Sequence, residues 1–240
     1  MLEILHVAGG YKGEYFPDSG PGNKYLMAGD ENIGYFGEVS SSALITHAAL
    51  KTHLGLSTGT VGPDVGWFKF FHKGLVKFVA KKACFSNLTW DALYAAGGVY
   101  GTNDNGVFPA TTPKNQYKPF LVPDGEKICT LVPRLISGAL NDPTGLSAAE
   151  ITDYGSELSD LLYRIVSGSH ANAGAFAQYV QSDVTMQVKH TCMETNRDDT
   201  SKMLIRVYNG INANGYTLRK NDPSGYSQYC RMVLALESSV

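Results

Sequence analysis

No run of about eighteen uncharged apolar residues occurs in this 240-residue chain, so a helix crossing a membrane is not expected. Residues 1–7 hold neither a basic leader nor an apolar stretch of signal-peptide length, and the expectation is an unsecreted protein. Charge is scarce as well. Asp, Glu, Lys and Arg together make up 18% of the residues, the net charge is −2, and the lysines and arginines are scattered instead of clustered. With no broad positive field, nucleic acid is not an expected partner. Cysteine is limited to Cys84, Cys129, Cys192 and Cys230, far apart and without a C-x-x-C pair, which argues against a zinc knuckle or a thioredoxin-type centre. Four buried thiols are expected, and a disulfide stays open if the protein matures outside the cell.

What the chain does have is apolar mass and glycine. Hydrophobic residues make up 43%, enough to offset the ordering entropy of a folded core. The 26 glycines and 14 tyrosines point to a loop-rich β or α+β domain, since many backbone positions must accept positive φ.

Residues 1–38 are broken by Gly9-Gly10, Pro17, Gly20-Pro21-Gly22 and Gly29-Asp30, show no sustained period, and read as an irregular arm. Ser40, Ser41 and Ser42 offer N-caps for a short helix carrying Leu44, Ile45, Ala48, Leu50 and Leu54, ended by Gly55. The glycine-rich stretch 55–63 is the best linker, and a domain boundary is expected at about residue 62. Beyond it, the apolar runs 67–71 and 75–80 flank His72-Lys73-Gly74, the pattern of a β-hairpin with a three-residue turn. Thr89 caps a helix from Trp90 to Ala96 that stops at Gly97-Gly98. Leu158, Leu161, Leu162 and Ile165 recur at helical spacing within 156–168. On that helix Asp160 and Arg164 form an i, i+4 pair of structural value only. Alternation at Val184, Met186 and Val188, and the runs 203–208 and 231–236, read as strands. Asn141-Asp142-Pro143-Thr144-Gly145 and Asn221-Asp222-Pro223-Ser224-Gly225 are two independent turns.

Little in the sequence points to chemistry. Gly55-Leu56-Ser57-Thr58-Gly59 matches a nucleophile-elbow pattern, but it follows a helix instead of a strand and no histidine or carboxylate can be nominated beside Ser57. His6, His47, His53, His72, His170 and His190 form no metal-binding spacing, and Asp198-Asp199 reads as a solvated loop. Asn87-Leu88-Thr89 is a glycosylation sequon without weight in an unsecreted chain. Trp67 and Trp90 read as core anchors. No catalytic residue, cofactor or metal ligand is expected, and the protein is expected not to be an enzyme.

Several segments resemble one family. Gly34-Tyr35-Phe36-Gly37-Glu38-Val39, Leu44-Ile45-Thr46 and Leu54-Gly55-Leu56-Ser57-Thr58-Gly59-Thr60 come first. Gly66-Trp67-Phe68-Lys69-Phe70, Val79-Ala80-Lys81-Lys82, Leu88-Thr89-Trp90-Asp91-Ala92-Leu93 and Val99-Tyr100-Gly101 follow in the same order. Arg134-Leu135-Ile136-Ser137-Gly138 is similar to an R-L-L-x-G strand, and Gly155-Ser156-Glu157-Leu158 through Leu162-Tyr163-Arg164-Ile165 to an S-E-W-N-x-L-x-Y helix, with Leu158 where tryptophan is usual. Thr191-Cys192-Met193-Glu194-Thr195, Arg206-Val207-Tyr208-Asn209-Gly210, and Gly225-Tyr226 before Arg231-Met232-Val233-Leu234-Ala235-Leu236 complete the pattern. The last resembles a G-W-R-P-V-L-E-L ending, with Met232 in place of proline, and Asn209 stands where an arginine is usual. Together these segments resemble the tail or tail-fibre structural proteins of tailed bacteriophages.

The resemblance implies an α+β chain with two parts. Residues 1–62 would be an arm and helix for attachment or oligomerisation, and residues 63–240 a C-type-lectin-like α+β domain with β-hairpins and two short helices. It implies a virion component assembled in the host cytoplasm, in contact with other virion proteins of tail, baseplate or capsid and with copies of itself. The alternative is a receptor-binding adhesin whose loops near Tyr208, Tyr216, Tyr226 and Tyr229 touch a host glycan or protein. No E-P-N or Q-P-D tripeptide occurs, so the calcium-dependent sugar binding of true lectins does not carry over. A hydrolase acting through Ser57 is the third class.

Overall fold

The computed structural model describes residues 19–30, 32–107, 112–144, 155–163, 189–195, 202–207, 216–220 and 228–239. The hairpin is the centre of what they build. Trp67–His72 (β4) and Leu75–Ala80 (β5) pair from Trp67 opposite Ala80 to His72 opposite Leu75. The turn is one residue tighter than expected. His72 belongs to the strand, and Lys73 and Gly74 alone make the turn with φ of 50° and 83°, the doubly left-handed geometry that matches the twist of a hairpin.

Around this hairpin grows a seven-stranded antiparallel sheet, ordered β1-β2-β4-β5-β13-β8-β7. Its other members are Ala28–Gly29 (β1), Ile33–Val39 (β2), Phe120–Asp124 (β7), Lys127–Leu135 (β8) and Met232–Ser239 (β13). A second sheet runs β11-β10-β9-β12-β6-β3, from Thr60–Val61 (β3), Phe85–Ser86 (β6), Lys189–Thr195 (β9), Lys202–Val207 (β10), Tyr216–Lys220 (β11) and Gln228–Cys230 (β12). All its pairings are antiparallel except β12 with β9. The described residues are therefore mostly antiparallel β with a few short helices.

The segment 33–39 departs from the irregular arm read from its glycines. β2 pairs with β4 from Ile33 opposite His72 to Val39 opposite Trp67, with a register shift between Tyr35 and Gly37 that absorbs one extra residue. Its residues are buried except Glu38, so apolar burial on both faces sets this strand and not a period of two. Residues 1–18 lie outside the described residues. The boundary expected at about residue 62 falls between β3 and β4, and strands from before it join both sheets.

His47–Leu54 (α1) starts later than expected: the side chain of Thr46, not Ser40, Ser41 or Ser42, accepts from Ala49 N–H, while Ser41–Ala43 form a separate 3-10 turn. Gly55 closes the helix in the left-handed region, as its position predicts. Trp90–Ala95 (α2) is capped by Thr89 accepting from Ala92 N–H and is followed by left-handed Gly97. Of the helix expected over 156–168, Leu158–Tyr163 is a single wide π-helical turn with Leu158, Leu161 and Leu162 buried, and Ile165 lies outside the described residues. The strand expected around Val184, Met186 and Val188 also lies outside them.

Because side chains alternate along a strand, the large sheet presents two faces. One holds Trp67, Phe71, Phe78, Leu131, Leu135, Met232 and Leu234 against α1, α2 and the second sheet. The other gathers Tyr35, Phe68, Phe70, Val79 and Val233 with Leu158, Leu161 and Leu162. Trp67 and Trp90 are core anchors as expected, donating their indole N–H to Ile45 O at 3.1 Å and Met193 O at 3.3 Å. β13 begins one residue later than its apolar run, because Arg231 sits at the corner where the chain passes from the second sheet to the first. There its guanidinium donates to Ala80 O and Lys81 O at 2.6 and 2.7 Å. The four cysteines are buried and free, and burial pushes the thiols of Cys84 and Cys192 up and that of Cys230 up to about 12, unsuited to a nucleophilic thiolate.

Candidate functional site

The most unusual feature lies on the second face of the large sheet, where charged side chains replace apolar ones. Lys77 stands opposite Phe70 in the hairpin, Arg134 opposite Val233, and His72 two residues beyond Phe70, so all three point to the face that Leu158, Leu161 and Leu162 cover. Glu157 takes two guanidinium contacts from Arg134, one of them at 2.6 Å, and one from Lys77 at 2.7 Å. Asp160 accepts from His72 Nε2 at 2.9 Å and from Gly155 N–H at 2.9 Å, and Lys73 at the hairpin turn donates to Gly155 O. His72, Lys77, Glu157 and Asp160 are all buried. Burial raises the cost of ionising Glu157, yet the Arg134 and Lys77 cations overcome it and hold its carboxyl well below the usual range.

The connection between β8 and β9 is fastened to the strands at further points. Ser137 N–H donates to Glu157, and Leu158 N–H to Ser137 O. Gly138 and Ala139 donate their N–H groups to the buried Glu194 carboxylate of β9 at 3.0–3.2 Å. A Cβ on Gly138 would stand 2.4 Å from Cys192 Sγ, so only glycine lets the backbone come this close. Asp142 accepts from Thr195 N–H and its hydroxyl at 2.9 and 3.1 Å. Burial pushes Glu194 up to about 7 and raises Asp142; it also raises the Tyr100 phenol, which the Asp142 charge pushes further. The arrangement is a base plate. Charges drawn from β4, β5, β8 and β9 pin both described pieces of a long insertion.

None of these residues was singled out as a site by the sequence. Asp160 is paired to His72, and Arg164 lies outside the described residues. The only local hint is that Lys77 interrupts an apolar strand at a position whose neighbours are buried.

Of the expected contact tyrosines, Tyr208 and Tyr226 lie outside the described residues. Tyr216 opens β11 opposite Arg206, and Tyr229 stands half-buried in β12 opposite His190 and Ser86. Val207 and Gln228 both pair with Lys189, so the end of β10 and the starts of β9, β11 and β12 share one end of the second sheet. Ser57 lines a shallow recess of about 290 Å³ with Gly55, Leu56, Thr58, Ala92, Ala95 and Ala96, a lining without histidine or carboxylate. His47 is buried edge-on to Trp67 and its proton affinity is lowered by burial; His53 contacts Phe120 and Lys118 O. Among the described residues no three His, Cys, Asp or Glu side chains gather where a metal ion could be held, and no helix is long and apolar enough to cross a membrane. Asp198-Asp199, His6 and His170 lie outside them. No family model, curated protein or solved structure matches the chain.

Proposed function

We propose that the protein is a structural subunit of a tailed-bacteriophage particle, acting through contacts with other virion proteins and with copies of itself. One observation carries the reading: the segments that resemble phage tail proteins, far apart in the chain, meet at one place. Arg134 of the Arg134–Gly138 segment pairs with Glu157 of the Gly155–Leu158 segment, Gly138 donates to Glu194 of the Thr191–Thr195 segment, and the hairpin segment supplies the sheet beneath. Such a cluster builds a rigid support and aims no nucleophile, base or ion at a cleft. In this reading the support belongs to a C-type-lectin-like domain, and the β8–β9 insertion is what that domain presents. Residues 1–62 attach or oligomerise the subunit through contacts with a neighbour. Assembly takes place in the host cytoplasm, and the chain is not an enzyme.

Density of an intact particle tests this: the two sheets should be found in repeated, symmetry-related positions on tail, baseplate, fibre or capsid. Particles that contain no copy of the chain would refute it.

A receptor-binding adhesin is the second reading, favoured by the register that brings the start of β11, with Tyr216, to the same end of the second sheet as the start of β12. It expects purified protein to label host cells and compete with infection, and Tyr229→Ala to weaken both. A protein that does neither belongs to the purely structural class.

A further inference from the structure

We propose that residues 155–163 form an acid-released strap: proton uptake by His72 detaches them from the large sheet and opens the apolar cluster they share with Phe68, Phe70 and Val79. The reading is independent of the virion assignment and rests on the geometry of one imidazole.

His72 is wedged between two partners of opposite kind. Lys77 Nζ lies 3.0 Å from its Nδ1, and Asp160 Oδ2 lies 2.9 Å from its Nε2. An ammonium has donors only, so Nδ1 must offer its lone pair, and the ring is the neutral tautomer whose Nε2–H donates to Asp160. A second proton on the ring would set an N–H of a cation against the Lys77 ammonium. Lys77 would have to withdraw, and with it goes its 2.7 Å contact to Glu157. The charged groups facing this point come from every packed element: Asp160 and Glu157 from the strap, Lys77 from β5, Arg134 from β8, and Lys73 from the hairpin turn. Burial lowers the proton affinity of His72 below its ordinary value of 6.5, and the Asp160 hydrogen bond offsets only part of that.

The sign follows. In the released form His72 takes up its proton near 6.5, while the clasped form resists it. Below about pH 6.5 each unit of acidification therefore multiplies the ratio of released to clasped strap by up to about ten, until the clasped ring itself titrates. Buried Leu158, Leu161 and Leu162 keep the released form a minority at neutral pH, so the measurement must detect a minor population.

Hydrogen exchange of the full chain, corrected for intrinsic rates, provides it. Between pH 7 and 5 the amides of residues 156–162 should lose protection, by up to about tenfold for each pH unit below 6.5, while those of β5 and β13 keep theirs. His72→Gln removes the titrating ring and should abolish the step. Lys77→Met removes the competing ammonium but leaves the ring buried, so it should shrink the step without abolishing it, which covers the case of the other variant failing to fold. Flat protection in the wild-type chain, a loss shared equally by β5 and β13, a step that survives in folded His72→Gln, or one undiminished in folded Lys77→Met would each overturn the proposal.

Discussion

The two faces of the large sheet are built on different principles. One buries Trp67, Phe71, Phe78 and Leu234 against two helices and a second sheet, with Lys69 buried among them and donating to Gly20 O at 2.9 Å; over most of it shape and apolar area decide and many substitutions of similar volume fit. The other has apolar residues as well but holds Lys77, His72, Arg134, Glu157 and Asp160 among them. Burying these charges costs desolvation, and their attraction repays it only when every partner is in place. The first face therefore tolerates variation in detail, whereas the second accepts one seating of the 155–163 segment. Stability and positioning are assigned largely to opposite sides of one sheet.

The largest test of that contrast is Glu157→Ala. It leaves the buried Lys77 and the part-buried Arg134 together without their shared anion, and a loss of about 4–5 kcal/mol is expected in denaturant unfolding at neutral pH. Because the Glu157 carboxyl sits below its ordinary 4.5, its stabilisation is present above pH 4.5 and is lost as the pH falls toward its folded value. On the apolar face, Trp67→Ala should cost about 4 kcal/mol through the cavity it leaves, with no such dependence on pH. The profiles, more than the magnitudes, separate the two faces.

Glu194 responds to pH with the opposite sign. Its folded value of about 7 lies above 4.5, so the folded state prefers the protonated acid, and ionisation removes stability as the pH rises from 4.5 through 7. Relative to wild type, Glu194→Gln should gain on the order of 3 kcal/mol across that interval, at about 1.4 kcal/mol per unit. Unfolding titrations at pH 4.5 and 8 read the change directly. The smallest effect is expected away from both faces: Thr89→Ala removes the cap of α2 and should cost about 1 kcal/mol at any pH between 5 and 8.

What was legible in the sequence was local. The β4–β5 hairpin could be read because its apolar runs and Gly74 lie within fourteen consecutive residues. The caps at Thr89 and Gly55 obey the same rule. β2 was hidden because its glycines look like breaks, and because a strand buried on both faces has no alternation to detect. The start of α1 slipped from the serines to Thr46 because several hydroxyls offered the same cap. Apart from the lysine that interrupts the apolar run of β5, the ionic cluster was beyond local reading. Its contacts join residues 23, 56 and 88 positions apart, between Arg134 and Glu157, Gly138 and Glu194, and His72 and Asp160. A lysine in a strand and a glutamate before a helix carry no sign that they will meet.

A double-mutant cycle between Lys77 and Glu157, using Lys77→Met and Glu157→Gln, tests most directly whether buried charge seats the 155–163 segment. Unfolding free energies at pH 7.5 should show coupling of about 2 kcal/mol or more between the two sites, shrinking as the pH falls below 4.5. Costs that simply add at pH 7.5, or a coupling that ignores pH, would contradict it.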